Sequence, residues 1–211
     1  MLDRLEFQHN LEGIFQRGTK RKFDDCLVHL SEGARKAIEA CMLEFYFSRR
    51  DANNMLREFT VSPGQNLSYG QMMYLLSLGH SKSSIYEVAH SAAGVGIILQ
   101  DLIRGADQTR IPDCPAAAAL VEGDKLLTRV VKSKTGTHLS TGTLVIPKQL
   151  WPHLNAKIES QYPIPKTQDP TPQEFYEDLA EEMTWYTISC WLNAYSGPGA
   201  PPPKLIDFDQ D

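Results

Sequence analysis

Four prolines fall within the eleven residues from Tyr162 to Pro172. Proline lacks a backbone N–H and fixes φ, so neither a helix interior nor a central strand runs through such a stretch. The segment is a semi-rigid connector. It divides the chain into a core domain over residues 1–161 and a shorter part made of a helix, 173–195, and a tail, 196–211.

The connector also opens the helix that follows it. Thr171 is placed to cap, Pro172 takes the first helical position and Glu174 completes a capping box. Phe175, Leu179, Met183, Tyr186 and Cys190 follow at helical spacing, with Trp185, Trp191, Leu192 and Tyr195 widening the apolar stripe. Glu174, Glu177, Asp178, Glu181 and Glu182 form a solvated face, and acids near a helix start are favoured by the dipole. The tail, with four prolines and three aspartates, reads as extended, or disordered unless bound.

Before the connector the periodicity predicts a mainly α fold. Residues 2–16 form an amphipathic helix ended by Gly18, and Arg17–Lys22 is a basic loop. Ala34, Ile38, Cys41, Met42 and Phe45 carry a second helical stripe within 25–59. Ser68 and Gln71 form a capping box for a short apolar helix closed by Gly79. Ser84 and Glu87 open another, from Ile85 to about Arg104, striped by Ile85, Val88, Ala92, Val95, Leu99 and Leu102. This long helix is expected at the centre of the core. The clear β signal is Leu126–Val131 with Thr143–Ile146, a hairpin over about 125–147 with its tip near Thr135 and Gly136. A lone hairpin is marginal in water, so it must pack on the helices. A short helix at 115–120 and another at about 149–161 complete the expected helical core.

Composition narrows the function classes. The longest uncharged apolar run, Ala92–Leu99, is far short of the roughly 20 residues of a membrane span. Cys26, Cys41, Cys114 and Cys190 are scattered with no CxxC pair, and MLDRLEFQHN is not a secretory signal, so a cytoplasmic setting is expected, or a nuclear one in a eukaryotic or viral source. The net charge is −5, with −7 contributed by residues 161–211 (two basic, nine acidic) and +3 by residues 121–160 (six basic, three acidic). An acidic protein is not a general nucleic-acid binder, because neutralising phosphates dominates that affinity.

Three function classes follow. The first is a non-enzymatic protein–protein interaction protein, an assembly component, adaptor or inhibitor, acting through the C-terminal helix and tail. Its candidate contacts are Trp185, Trp191, Tyr195, Leu205, Ile206 and Phe208: large aromatics anchor interfaces, and three hydrophobes on a stiff tether suit a docking segment or a strap over the protein's own core. Leu205–Asp209 resembles the short clathrin-box type of peptide, which adds to a partner's surface in extended form; the resemblance covers those five residues. The second class is a DNA-binding regulator. Tyr74, Leu78, Ile85 and Val88 around Gly79 match the core positions of a helix-turn-helix, and Lys82, Lys125, Arg129, Lys132 and Lys134 could meet phosphates. The third is an enzyme whose site is assembled from distant residues, since the chain has no Gly-rich phosphate loop, HExxH or GxSxG. Neither cofactor nor metal is expected: Cys26 and His29 have ligand spacing without a second close pair, and Cys114, His138 and His153 stand apart.

Overall fold

The computed structural model describes residues 27–48, 68–81, 83–105, 108–112, 114–134, 136–161 and 173–206. The expected helix 2–16, the basic loop 17–22, the connector 162–172 and Phe208 lie outside these residues.

The core is built on an antiparallel sheet, which corrects the expectation of a mainly helical fold. Its strands are β1 (Ser83–Ala92), β2 (Gly96–Asp101), β3 (Thr109–Pro112), β4 (Lys125–Ser133), β5 (Gly136–Leu139) and β6 (Leu144–Ile146). They run in the order β3-β2-β1-β4-β5, with β6 also paired to β4. The sheet curls until its outer strands β3 and β5 pass within 8 Å between Cα atoms, giving a nearly closed barrel. Among the described residues four helices accompany it: α1 (Glu32–Ser48), α2 (Tyr69–His80), α3 (Trp151–Gln161) and α4 (Gln173–Tyr195), with a 3-10 turn at Pro115–Ala118.

The segment expected to form the long central helix is the β1–β2 hairpin. Val88 pairs with Leu99 and Tyr86 with Asp101, and the chain reverses at Ala93–Val95, where the Val95 N–H donates to Ala92 O at 3.0 Å. Two facts outweigh the helical spacing. Gly94 (φ 73°) and Gly96 (φ 117°) stand where a helix would each lose about 1 kcal/mol relative to alanine, and where a reversal needs left-handed backbone. The flanks are rich in Ile and Val, which suit a pleated surface. The strand pattern is hidden because the first half of β1 is covered on both faces: Ser83, Ser84, Ile85 and Tyr86 are all buried. A strand buried on both sides reads as a continuous apolar run and loses its alternation. With β1 in place of a second helix, the helix-turn-helix at Gly79 does not exist. Gly79 sits inside α2, whose capping box at Ser68 and Gln71 is formed as expected.

The expected hairpin region is a longer three-strand unit. β4 turns back into β5, which pairs with its second half through Val130–Leu139 to Ser133–Gly136. The first half of β4 is bonded to β1 and to β6, whose Ile146, Val145 and Leu144 pair with Lys125, Leu126 and Leu127.

Alternation along these strands sorts side chains into two cores. Tyr86, Val88, Ile97, Leu99, Ile111, Leu126, Leu139 and Val145 fill the barrel interior, closed at one side by Ala116, Ala117 and Leu120. Ile85, Leu127, Leu144 and Ile146 face outward onto α1, α3 and α4. α4 keeps its expected bounds, but its buried side is rotated from the expected stripe. Leu179, Met183, Ile188, Trp191, Leu192 and Tyr195 are buried, whereas Tyr186 and Cys190 lie half-exposed beside α3.

Candidate interaction site

The aromatics expected to anchor a partner are occupied within the protein. Trp191 is completely buried; its Nε1 donates to Val145 O at 3.1 Å, and its ring lies 4.8 Å from that of Tyr195. Tyr195 is buried too, and burial pushes its phenol pKa up. Trp185 is half-buried against the helix-side core.

The tail is where the expected contact residues meet the surface. After α4 the Ser196 N–H donates to Leu192 O at 2.9 Å. The chain then reverses at Gly197–Ala200, where the Ala200 N–H donates to Gly197 O at 3.0 Å. Pro198 followed by Gly199 at φ 75° suits a type II turn, which needs left-handed backbone at its third position. Pro201–Pro203 hold the next residues extended. Three successive side chains then touch the body. Lys204 Nζ donates to Asp124 Oδ2 at 2.6 Å. Leu205 lies over α1, its Cδ1 2.9 Å from where a side chain on Gly33 would begin. Ile206 packs against the barrel-interior core.

The seat under this segment is held by backbone hydrogen bonds. Asp124 closes the turn Val121–Asp124: its N–H donates to Val121 O at 3.1 Å, and its Oδ2 accepts the Val121 N–H at 3.0 Å. The turn is bolted to β1, because the Val88 N–H donates to Asp124 O at 2.9 Å and the Gly123 N–H to Val88 O at 2.8 Å. Only 6% of Asp124 is exposed. A carboxylate so far out of water needs a partner charge, and the tail brings it. Gly33 belongs to the same design. Glycine is a poor helix former, and here it leaves room for Leu205.

Among the described residues the basic groups expected to meet phosphates have different surroundings. Arg129 is completely buried, and its Nη1 donates to Leu78 O at 2.9 Å, tying β4 to the end of α2. Lys125 is held by Glu87 at 2.8 Å and lies over the Trp151 ring. Lys132 and Lys134 are exposed, and Lys134 stands 3.3 Å from the Tyr69 hydroxyl. Lys82 lies outside the described residues.

A second polar cluster, which sequence reasoning misses, joins α3 to α4. His153 Nε2 and the Tyr186 hydroxyl are hydrogen-bonded at 2.7 Å, and Lys157 sits 4.4 Å over the Tyr186 ring and 3.7 Å from Glu182. The available signal is a pair of four-residue spacings, His153 with Lys157 and Tyr186 with Cys190, on two helices whose packing no local pattern announces. Burial pushes the Cys190 thiol pKa up, and the opposing pull of Tyr186 and Lys157 does not reverse it. The sulfur is therefore a protonated thiol at neutral pH and a poor nucleophile. The cluster works as a polar clamp between helices. At the far end of β2, Asp101 is likewise structural: its Oδ1 accepts Ser84 Oγ at 2.8 Å and the Ile103 and Arg104 N–H groups at 2.9 Å each.

Among the described residues no group of His, Cys, Asp and Glu could hold a metal ion, and no helix is long and apolar enough to cross a membrane. No protein family, curated protein or solved structure matches the chain.

Proposed function

We propose that the protein is a non-enzymatic protein–protein interaction protein, an assembly component, adaptor or inhibitor of the cytoplasm, acting through the segment that follows its C-terminal helix. One observation carries this reading. Residues 204–206 lie on the body as a linear peptide lies on a receptor, with one charge-assisted bond to a buried carboxylate and two aliphatic contacts. The helix α4 contributes by packing rather than by direct contact, since Trp191 and Tyr195 are interior. The three described cysteines are free thiols, in keeping with a reducing compartment.

Leu205 remains 36% exposed and the Lys204 side chain 39% exposed, so the segment is held at a surface that another chain can reach. The test is a full-length variant, Lys204→Ser with Leu205→Ser, compared with the unaltered protein. Self-association is read by light scattering, and binding of other proteins by quantitative affinity capture. A change of about tenfold or more in either direction is expected, because a segment tethered in cis acts at a millimolar effective concentration. Unchanged association in both assays would contradict the reading.

A further inference from the structure

The seat itself has the properties of a receptor. From the arrangement of Asp124, Gly33 and the barrel-interior core we infer that this seat binds a segment of another protein carrying a lysine or arginine followed by two aliphatic residues, and that the chain's own residues 204–206 are its built-in competitor. The inference rests on the interaction reading above and adds to it the receptor, the ligand class and the sign of the effect.

The chemistry of the ligand follows from the seat, position by position. A carboxylate with 6% exposure accepts both the Val121 N–H and Lys204 Nζ on its Oδ2. A neutral or acidic residue there would strand a buried charge, which is among the more costly outcomes in a protein interior. The first position therefore takes a cation. Over α1, Gly33 presents no side chain and leaves the space that Leu205 fills, so the second position takes a branched aliphatic group. The third meets the apolar residues that line the barrel interior, as Ile206 does. Both sides of the seat are fixed by backbone: the Val121–Asp124 turn is hydrogen-bonded to Val88, and Gly33 lies within the first turn of α1. A preformed seat loses little entropy on binding.

The own segment differs from the rest of the core in how it is held. It is anchored by three consecutive side chains at the end of a proline run. No backbone hydrogen bond joins residues 201–206 to the sheet or helices among the described residues. Release therefore leaves no strand edge or helix end unpaired, and a second chain offering the same three side chains can make the same contacts once it overcomes the effective concentration of the tethered segment.

The experiment uses the full-length protein and a fluorescein-labelled peptide of residues 200–206, Ala-Pro-Pro-Pro-Lys-Leu-Ile, followed by anisotropy. The unaltered protein is expected to bind it weakly. The Lys204→Ser, Leu205→Ser variant, with its competitor weakened, is expected to bind about tenfold or more tightly. Asp124→Asn in that background, which keeps an acceptor for the Val121 N–H, is expected to lose about tenfold or more in affinity. A peptide with glutamate in place of its lysine checks the same pairing with no change to the protein and is expected not to bind. Equal affinity for the unaltered protein and the tail variant would overturn the inference, as would binding indifferent to the peptide's lysine. If weakening the tail lowers association with other proteins, the tail is an arm and the seat merely its rest: the inference fails while the interaction reading stands. If association does not change at all, both fail.

Discussion

Trp191→Ala should be the most damaging single truncation in the helix-side core, with an expected cost of about 3–5 kcal/mol. The indole is completely buried among residues from α1, α3, α4 and the outer face of the sheet. Removing it leaves a cavity that those elements can only partly close. It also takes the Nε1–H away from Val145 O, a carbonyl on β6 whose own side chain faces the barrel interior. An unmet buried acceptor adds to the cavity cost. Against a typical total of about 5–15 kcal/mol, such a loss brings the protein close to half-unfolded at elevated temperature. Trp191→Phe separates the two terms: it keeps most of the volume, and its expected cost is about 1–3 kcal/mol. Urea unfolding followed by circular dichroism measures both. A Trp191→Ala midpoint indistinguishable from that of the unaltered protein would show that α4 does not close this core.

Gly96→Ala should rank with it, for a different reason. Gly96 has φ 117°, a conformation that L side chains rarely adopt, and it opens β2 opposite Pro112. A methyl group there would lie 2.2 Å from Ile111 O and 2.9 Å from Pro112 Cα. Both are backbone atoms of β3, so no side-chain rotation relieves the clash. β3 must unpair from β2, which opens the barrel between those two strands and exposes Ile111. The expected loss is about 3 kcal/mol or more, combining backbone strain with lost packing. Gly94→Ala is the internal control. It sits two residues away at φ 73° with nothing within 4 Å of the added carbon, so its expected cost is the left-handed penalty alone, about 1–2 kcal/mol. Urea titrations of the two variants, with hydrogen exchange on the β3 amides, test the difference. Equal losses for both, or undisturbed β3 amides in Gly96→Ala, would contradict the placement of β2 against β3.

The same glycines explain why helical spacing misleads here. Ile85, Val88, Ala92, Val95, Leu99 and Leu102 do recur at helical intervals. They do so because β1 starts with four successive buried residues and two glycines interrupt the passage into β2, so the combined stretch shows no continuous period of two. Gly94 and Gly96, two residues apart in the middle of that stripe, are the evidence against a helix, although small residues also suit a face where two helices pack closely. By contrast, α4 and β4 are legible. A Pro-rich start followed by a long amphipathic stretch allows little besides a helix, and Leu126–Val131 is too rich in β-formers for anything but a strand. Arg129 and Trp191 show the limit of residue-type reasoning. A cation in a β-ribbon reads as solvated, and a Trp near the end of a helix reads as an anchor. The first is buried to satisfy the carbonyl of Leu78 and the second to fill the core under β6. The seat is not legible at all. Gly33, Asp124 and Lys204 lie on three elements, with Lys204 80 residues beyond Asp124, and only the closed fold brings them together.

The central claim, that residues 204–206 form a docked and replaceable segment, is open to one direct measurement. Photo-leucine is placed at position 205 of the full-length chain, where it preserves the shape of the natural side chain, and the sample is irradiated with and without an excess of the unlabelled peptide of residues 200–206. The expected result is an intrachain crosslink from position 205 into the first turn of α1 around Gly33, with a yield that falls as the peptide is added. A chain that gives no crosslink to α1, or one whose crosslink is indifferent to saturating peptide, would contradict the account.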